Sequence, residues 1–174
     1  MADAHAILRQ ETRAEHDRVD AAFSRFDLAG AGYARFLAAL ARAYLPVEDA
    51  LSTTAIPCFV PGWSDQRRAD ALRADLEALD ASPTLLLPAP GMPTDAHALG
   101  AWYVLEGSRL GGALLARQVA PGLPRAFLTA PGDRWAKSME VLEDHLYQPD
   151  RIAHAVLAAR ATFALFERAA EEFG

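Results

Sequence analysis

The 174 residues are 52% hydrophobic, enough apolar surface to bury a sizeable core, and the single cysteine, Cys58, excludes an internal disulfide, as the absence of any CxxC or Cys/His cluster excludes a zinc site. A formal net charge of −6, with a pI near 5.3, excludes a general nucleic-acid binder, because affinity for phosphate backbones needs a net basic face. No stretch reaches membrane-spanning length, and MADAHAILRQET carries acids where a signal peptide needs basic residues and an apolar run, so the expectation is a cytoplasmic chain with no membrane partner.

Alanine and leucine abound while Val/Ile/Thr alternation is nearly missing, so the chain reads as all-α, a single domain over residues 1–174. The first helix is predicted from Asp3 to Phe26, with Leu8, Thr12, His16, Val19, Phe23 and Phe26 recurring at threes and fours, and ends near Ala29-Gly30-Ala31-Gly32. A second begins about Tyr33 and buries Phe36, Leu37, Leu40 and Tyr44; Pro46 should kink it before Leu51, since proline removes an intrahelical donor. The third opens with Ser64 as N-cap and places Leu72, Leu76 and Leu79 on one stripe. Proline-punctuated SPTLLLPAPGMP, Ser82 to Pro93, reads as a surface loop. The fourth helix spans about Thr94 to Val119 and stops at Pro121-Gly122, and the last two, about Asp133 to Leu146 and Pro149 to Phe173, are parted by Pro149, a residue suited to a first helical turn. About six helices in one bundle result.

Within the fourth helix, Trp102-Tyr103-Val104-Leu105-Glu106-Gly107-Ser108-Arg109-Leu110-Gly111-Gly112 places glycine at i, i+4 and i+5. Each interior glycine costs roughly 1 kcal/mol against alanine, so something needs bare backbone there: a flat ligand, or a tightly packed neighbouring helix. His16 lies on the apolar side of the first helix, where it is either a satisfied core histidine or a ligand. Arg9 precedes it by seven residues, about 10.5 Å along the axis on nearly the same face. Such a pair suits a ligand with a metal at its centre and carboxylates at its rim; a solvated surface charge is the alternative.

Together LRQETRAEH, Leu8 to His16, and YVLEGSRLGG, Tyr103 to Gly112, resemble the proximal- and distal-helix patterns of the biliverdin-forming heme oxygenases, especially the small bacterial ones associated with bacteriophytochromes. The likeness spans most of the chain, and the histidine precedes the glycine helix by about ninety residues, as in that family. It implies a heme oxygenase-like bundle with heme b as substrate and cofactor, opened to biliverdin, carbon monoxide and ferrous iron. His16 would be the axial iron ligand and Arg9 a propionate partner. Gly107 and Gly111 would bring backbone over the distal face, with Ser108 and Gly112 beside them. Arg134 and Lys137 match the basic propionate partners of the penultimate helix, Phe163 and Phe166 the aromatic positions of the last, and Tyr103 a propionate contact. Electrons would come from a ferredoxin or an NAD(P)H-dependent reductase, since the chain has no flavin or nicotinamide fingerprint; the implied biliverdin acceptor is a bacteriophytochrome.

The sequence departs from the pattern at Ser108, where many relatives carry an aspartate that organises water for proton delivery, at Arg109, which replaces a smaller residue, and at Trp102, near a tyrosine of some relatives. Three rivals remain at this point. A di-iron protein needs Glu-x-x-His pairs, which do not occur; Asp150 with His154 and Glu143 near His145 read as surface pairs. A thiamin-degrading enzyme of similar architecture would need Cys58, which lies in TTAIPCFVPGW without an evident base. The third is a heme-binding or sensory module without turnover.

Overall fold

The structure, a computed structural model, describes residues 3–83, 85–129 and 134–173. Among them are nine helices and no strand: α1 Ala4–Glu11, α2 Arg13–Phe23, α3 Gly32–Leu51, α4 Ile56–Phe59, α5 Trp63–Gln66, α6 Ala69–Ala78, α7 Asp95–Leu115, α8 Trp135–His145 and α9 Pro149–Glu171. Among the described residues, no helix is long and apolar enough to cross a membrane. The expected start of the penultimate helix at Asp133 lies outside the described residues, as does Thr84 of the expected loop.

The predicted first helix is two. Its break falls at Thr12, whose Oγ1 donates to the Leu8 carbonyl at 2.7 Å; a buried β-branched hydroxyl bonded back four residues competes with the backbone and bends the rod. Asp3 caps α1 through Ala6 N, and Glu143 of α8 accepts from the Ala4 and His5 amides, so a distant helix satisfies two more of the first-turn donors.

A distant partner appears at one predicted joint, and a predicted cap is corrected at another. Helix α3 continues past Pro46 to Leu51. The carbonyl that Pro46 leaves free, Arg42 O, accepts from Leu87 N at 2.9 Å, so the loop after α6 supplies the missing donor. Ser64 does not cap the third predicted helix. It sits inside the single turn α5, and α6 starts at Ala69, where buried Glu48 accepts from Arg68 N at 2.8 Å and Ala69 N at 2.9 Å. Leu72 and Leu76 are buried as expected. The fourth predicted helix, α7, begins after Thr94 as read, and ends at Leu115 rather than Val119.

At the centre α7 crosses α9, and α1, α2 and α3 pack on other sides of α9 while α6 rests on α3 and α8 on α7. The α7–α9 crossing depends on Gly100: a Cβ there would collide with the backbone of Ala155. Gly100→Ala is therefore expected to lower stability by about 1–3 kcal/mol although alanine is the better helix former, read by urea unfolding of the apoprotein. Unchanged stability would show that the crossing relaxes freely.

Candidate functional site

Helix α7 presents two unlike sides. Trp102, Glu106 and Arg109, at i, i+4 and i+7, point inward and are buried. Arg109, whose direction the sequence left open, donates to Glu106 Oε1 at 3.0 Å and to the Gln66 carbonyl at 2.5 Å, while Ser138 Oγ donates to Glu106 Oε2 at 3.2 Å. The other side carries Gly107, Leu110, Gly111 and Leu114, with the two leucines 43% and 61% exposed.

Glycine packing against glycine approach is decided here position by position. An added Cβ at Gly107 or Gly111 would meet nothing within 4 Å, so these two serve no helix packing. Gly112 is different: its Cβ would lie 3.0 Å from the Leu128 carbonyl, and it is buried. It packs against the segment that holds Leu128, whereas Gly107 and Gly111 adjoin open space.

On α2, His16 has a side chain 58% exposed, with Nδ1 3.3 Å from Asp20 Oδ2 and the ring edge-on to Phe163 of α9 at 5.8 Å. A carboxylate at Nδ1 favours the tautomer that leaves Nε2 as an electron-pair donor. Helices α2 and α7 both lie on α9 and pack little on one another. Helix α9 thus lies against both, and its Phe163 and Phe166 are both buried.

Near the break after α1, Tyr103 of α7 is buried against His5 and Trp135. Burial raises the pKa of its hydroxyl, against the opposing effects of a hydrogen bond with Thr12 and the Arg9 charge. Arg9, itself exposed, is thus near enough to Tyr103 for its charge to act on the hydroxyl. Arg134 and Lys137, both exposed, border a cavity with Trp102 and Gln66.

One residue escaped sequence reasoning. Arg68, 2% exposed, lies over the Tyr44 and Phe127 rings and donates from Nη2 to Ser108 Oγ at 2.5 Å and to the Leu105 carbonyl at 2.9 Å, and from Nε to the Tyr44 hydroxyl at 3.1 Å. Tyr44 donates in turn to Glu48 Oε1 at 2.8 Å; burial pushes its pKa up, so it stays a hydroxyl. Nη1 of Arg68 has no partner among the described residues. In sequence, Arg67-Arg68 looks like an ordinary solvated pair ahead of a helix.

No protein-family model matches the chain. It is 35% identical over 142 residues to a heme oxygenase of Xanthomonas campestris pv. campestris (strain 8004), covering 77% of this chain and 86% of that protein. Its fold matches the crystal structure of the NO- and CO-bound heme oxygenase from Neisseria meningitidis with a TM-score of 0.79 at 24% identity, over 99% of this chain and 92% of the other. The extent of the Xanthomonas match, over a chain with this fold and this open glycine strip, places the protein in the heme oxygenase family, as an enzyme of that type.

Proposed function

We propose that this enzyme holds heme between α2 and α7 with His16 as axial ligand and opens it to biliverdin, carbon monoxide and ferrous iron, using electrons from a ferredoxin or an NAD(P)H-dependent reductase. The observation that carries the reading is the strip on α7: Gly107 and Gly111 adjoin open space, beside exposed Leu110 and Leu114. An apolar surface without side chains at its middle accommodates a flat macrocycle close to the backbone. Bound heme supplies the iron at which oxygen is activated. A bacteriophytochrome is the acceptor for the biliverdin that the resemblance implies.

The chain's own residues then have distinct tasks. Asp20 at Nδ1 orients the His16 ring so that Nε2 is the nitrogen offered to the metal. Arg9 and Tyr103 offer a cation and a hydroxyl to propionates at the α1 end. Gly107 and Gly111 keep side chains out of the space above the ring. The Ser108 hydroxyl donates to the Leu105 carbonyl at 2.6 Å and accepts from Arg68. Its proton is committed, so toward the cleft Ser108 Oγ offers only a lone pair. It orients a water whose second proton is free to be donated, and the buried Arg68 charge makes that water a better acid. Arg68 and Ser108 together thereby take the part an aspartate plays in relatives that carry one at this position.

Hemin titration followed by the Soret band, then reductase-driven turnover with the bilin identified by chromatography, tests the whole reading. Saturable binding at one equivalent with biliverdin as product supports it, whereas a heme complex inert to reductant leaves a binding protein. Ser108→Ala and Arg68→Met should each slow turnover roughly tenfold to a hundredfold with hemin affinity nearly unchanged. Ser108→Asp, which sets a carboxylate against Arg68, should keep most of the rate. Loss of hemin binding in Ser108→Ala would refute the water-orienting role.

A further inference from the structure

We propose that Arg160 is a positioning residue for the axial ligand: from α9 it clamps the break between α1 and α2, and so fixes the line along which α2 carries His16. It acts through the backbone. The inference rests on the heme reading above, with His16 as the ligand.

Helix α2 is weakly rooted for an element given that task. Ala22 is its one buried residue, and Phe23, edge-on to Phe36 at 5.5 Å, anchors the same far end. Around His16 the helix has little to hold it. Arg13, Ala14, Asp17 and Arg18 are exposed, Glu15 is partly buried, and no side chain caps the first turn. Helix α1, by contrast, is held firmly: Glu143 accepts from the Ala4 and His5 amides, and Ala4 and Leu8 are fully buried. The direction of the His16 half of α2 is therefore set where the chain leaves α1.

Arg160 sits at that joint. Glu11 ends α1, and its carbonyl, like the other last carbonyls of a helix, has no partner inside the helix. Arg160 donates to that oxygen from Nε at 3.0 Å and from Nη2 at 2.7 Å. Nη2 also reaches Glu11 Oε2 at 3.1 Å, and Nε lies 3.8 Å from Oε1 of Glu15, the residue before His16. One guanidinium thus grips the end of α1 and the first turn of α2. A planar fork on a backbone carbonyl fixes direction as well as distance. One turn along α9, Phe163 meets the His16 ring edge-on, so the same stretch of α9 sets both the break and a neighbour of the ring. Arg18 offers the comparison. It joins α2 to α9 through Glu167 at 3.2 Å, side chain to side chain, and an exposed pair of that kind orders little.

Hydrogen exchange of the apoprotein and the iron–histidine stretching band of the ferrous hemin complex together test the clamp, in Arg160→Met, Arg160→Lys, Arg18→Met and Glu11→Gln. Arg160→Met should speed exchange at the amides of residues 16–19 roughly tenfold with α7 and α9 unchanged, and should shift or broaden the band. Arg160→Lys, which keeps the charge and one donor, should fall between Arg160→Met and the unaltered protein. Glu11→Gln, which spares the carbonyl, and Arg18→Met, which spares the break, should match the unaltered protein in both readouts. The clamp is overturned by exchange or a band unmoved in Arg160→Met, by an equal rise in exchange through α7 and α9, or by Glu11→Gln or Arg18→Met reproducing the Arg160→Met changes. In each of those cases a band lost in His16→Ala still upholds the axial ligand. A band that survives His16→Ala overturns that assignment instead, and this role of Arg160 with it. Should Arg160→Met not fold, Arg160→Lys read against Glu11→Gln decides.

Discussion

Replacing Gly107 or Gly111 by leucine is expected to abolish heme turnover and to leave the apoprotein as stable as before or slightly more so. Leucine is the better helix former by roughly 0.8 kcal/mol, and at these two positions a new side chain enters open space rather than a neighbour. With heme bound as proposed, the same side chain would occupy the volume of the macrocycle and oxygen, and a misplacement of about 1 Å at a reacting centre costs about a hundredfold in rate. The contrast within one helix makes the experiment sharp. Gly112→Leu must push against the Leu128 carbonyl and should lower the apoprotein melting temperature, like Gly100→Ala. Apoprotein melting set beside turnover for all four variants reads the result. Destabilisation at 107 and 111 with normal turnover in what stays folded would remove the heme cleft from this face of α7.

The second large effect is at His16. With its side chain 58% exposed and its contacts those with two surface carboxylates, Asp17 and Asp20, and one ring edge, His16→Ala should change apoprotein stability by no more than about 0.5 kcal/mol. Turnover should nonetheless fall to background and the Soret band should shift, because the loss is of a ligand rather than of packing. His97, stacked on His154 and bonded through Nδ1 to Thr94 Oγ1 at the start of α7, provides the control. Its alanine variant should keep the spectrum and bilin formation. The opposite pattern, with His97 essential and His16 dispensable, would reverse the assignment.

What the sequence could reveal was set by how local the cause was. Helix type and order were legible because leucine and alanine recur at helical spacing and proline and glycine mark the joints. The glycine helix stood out because bare backbone in a strong helix is costly wherever it occurs. Separating Gly107 and Gly111 from Gly112 was a different matter, since all three look alike until the Leu128 carbonyl is seen beside the last. Where a distant partner acts, local reasoning failed: Ser64 is a plausible N-cap, but Glu48 in another helix caps α6. Pro46 lacks a donor, but Leu87 provides it from the loop after α6. Arg68 was invisible for the same reason, because its burial comes from Tyr44, Phe127 and Ser108 arriving from three separate segments.

The Glu48 carboxylate also constrains how this chain can vary. It accepts from the first amides of α6 and from Tyr44, and Tyr44 accepts from Arg68, which ends on Ser108. A neutral residue at position 48 would strip the cap from one helix and also remove the negative charge to which a buried guanidinium is wired through Tyr44. Substitutions along this chain are therefore epistatic, and their order matters. A carboxylate acquired first at position 108 would neutralise Arg68 from its other end, and only then could Glu48 drift to an uncharged helix cap. Among relatives the identities at 44, 48, 68 and 108 should accordingly change in concert, with an acid at one end of the relay or the other.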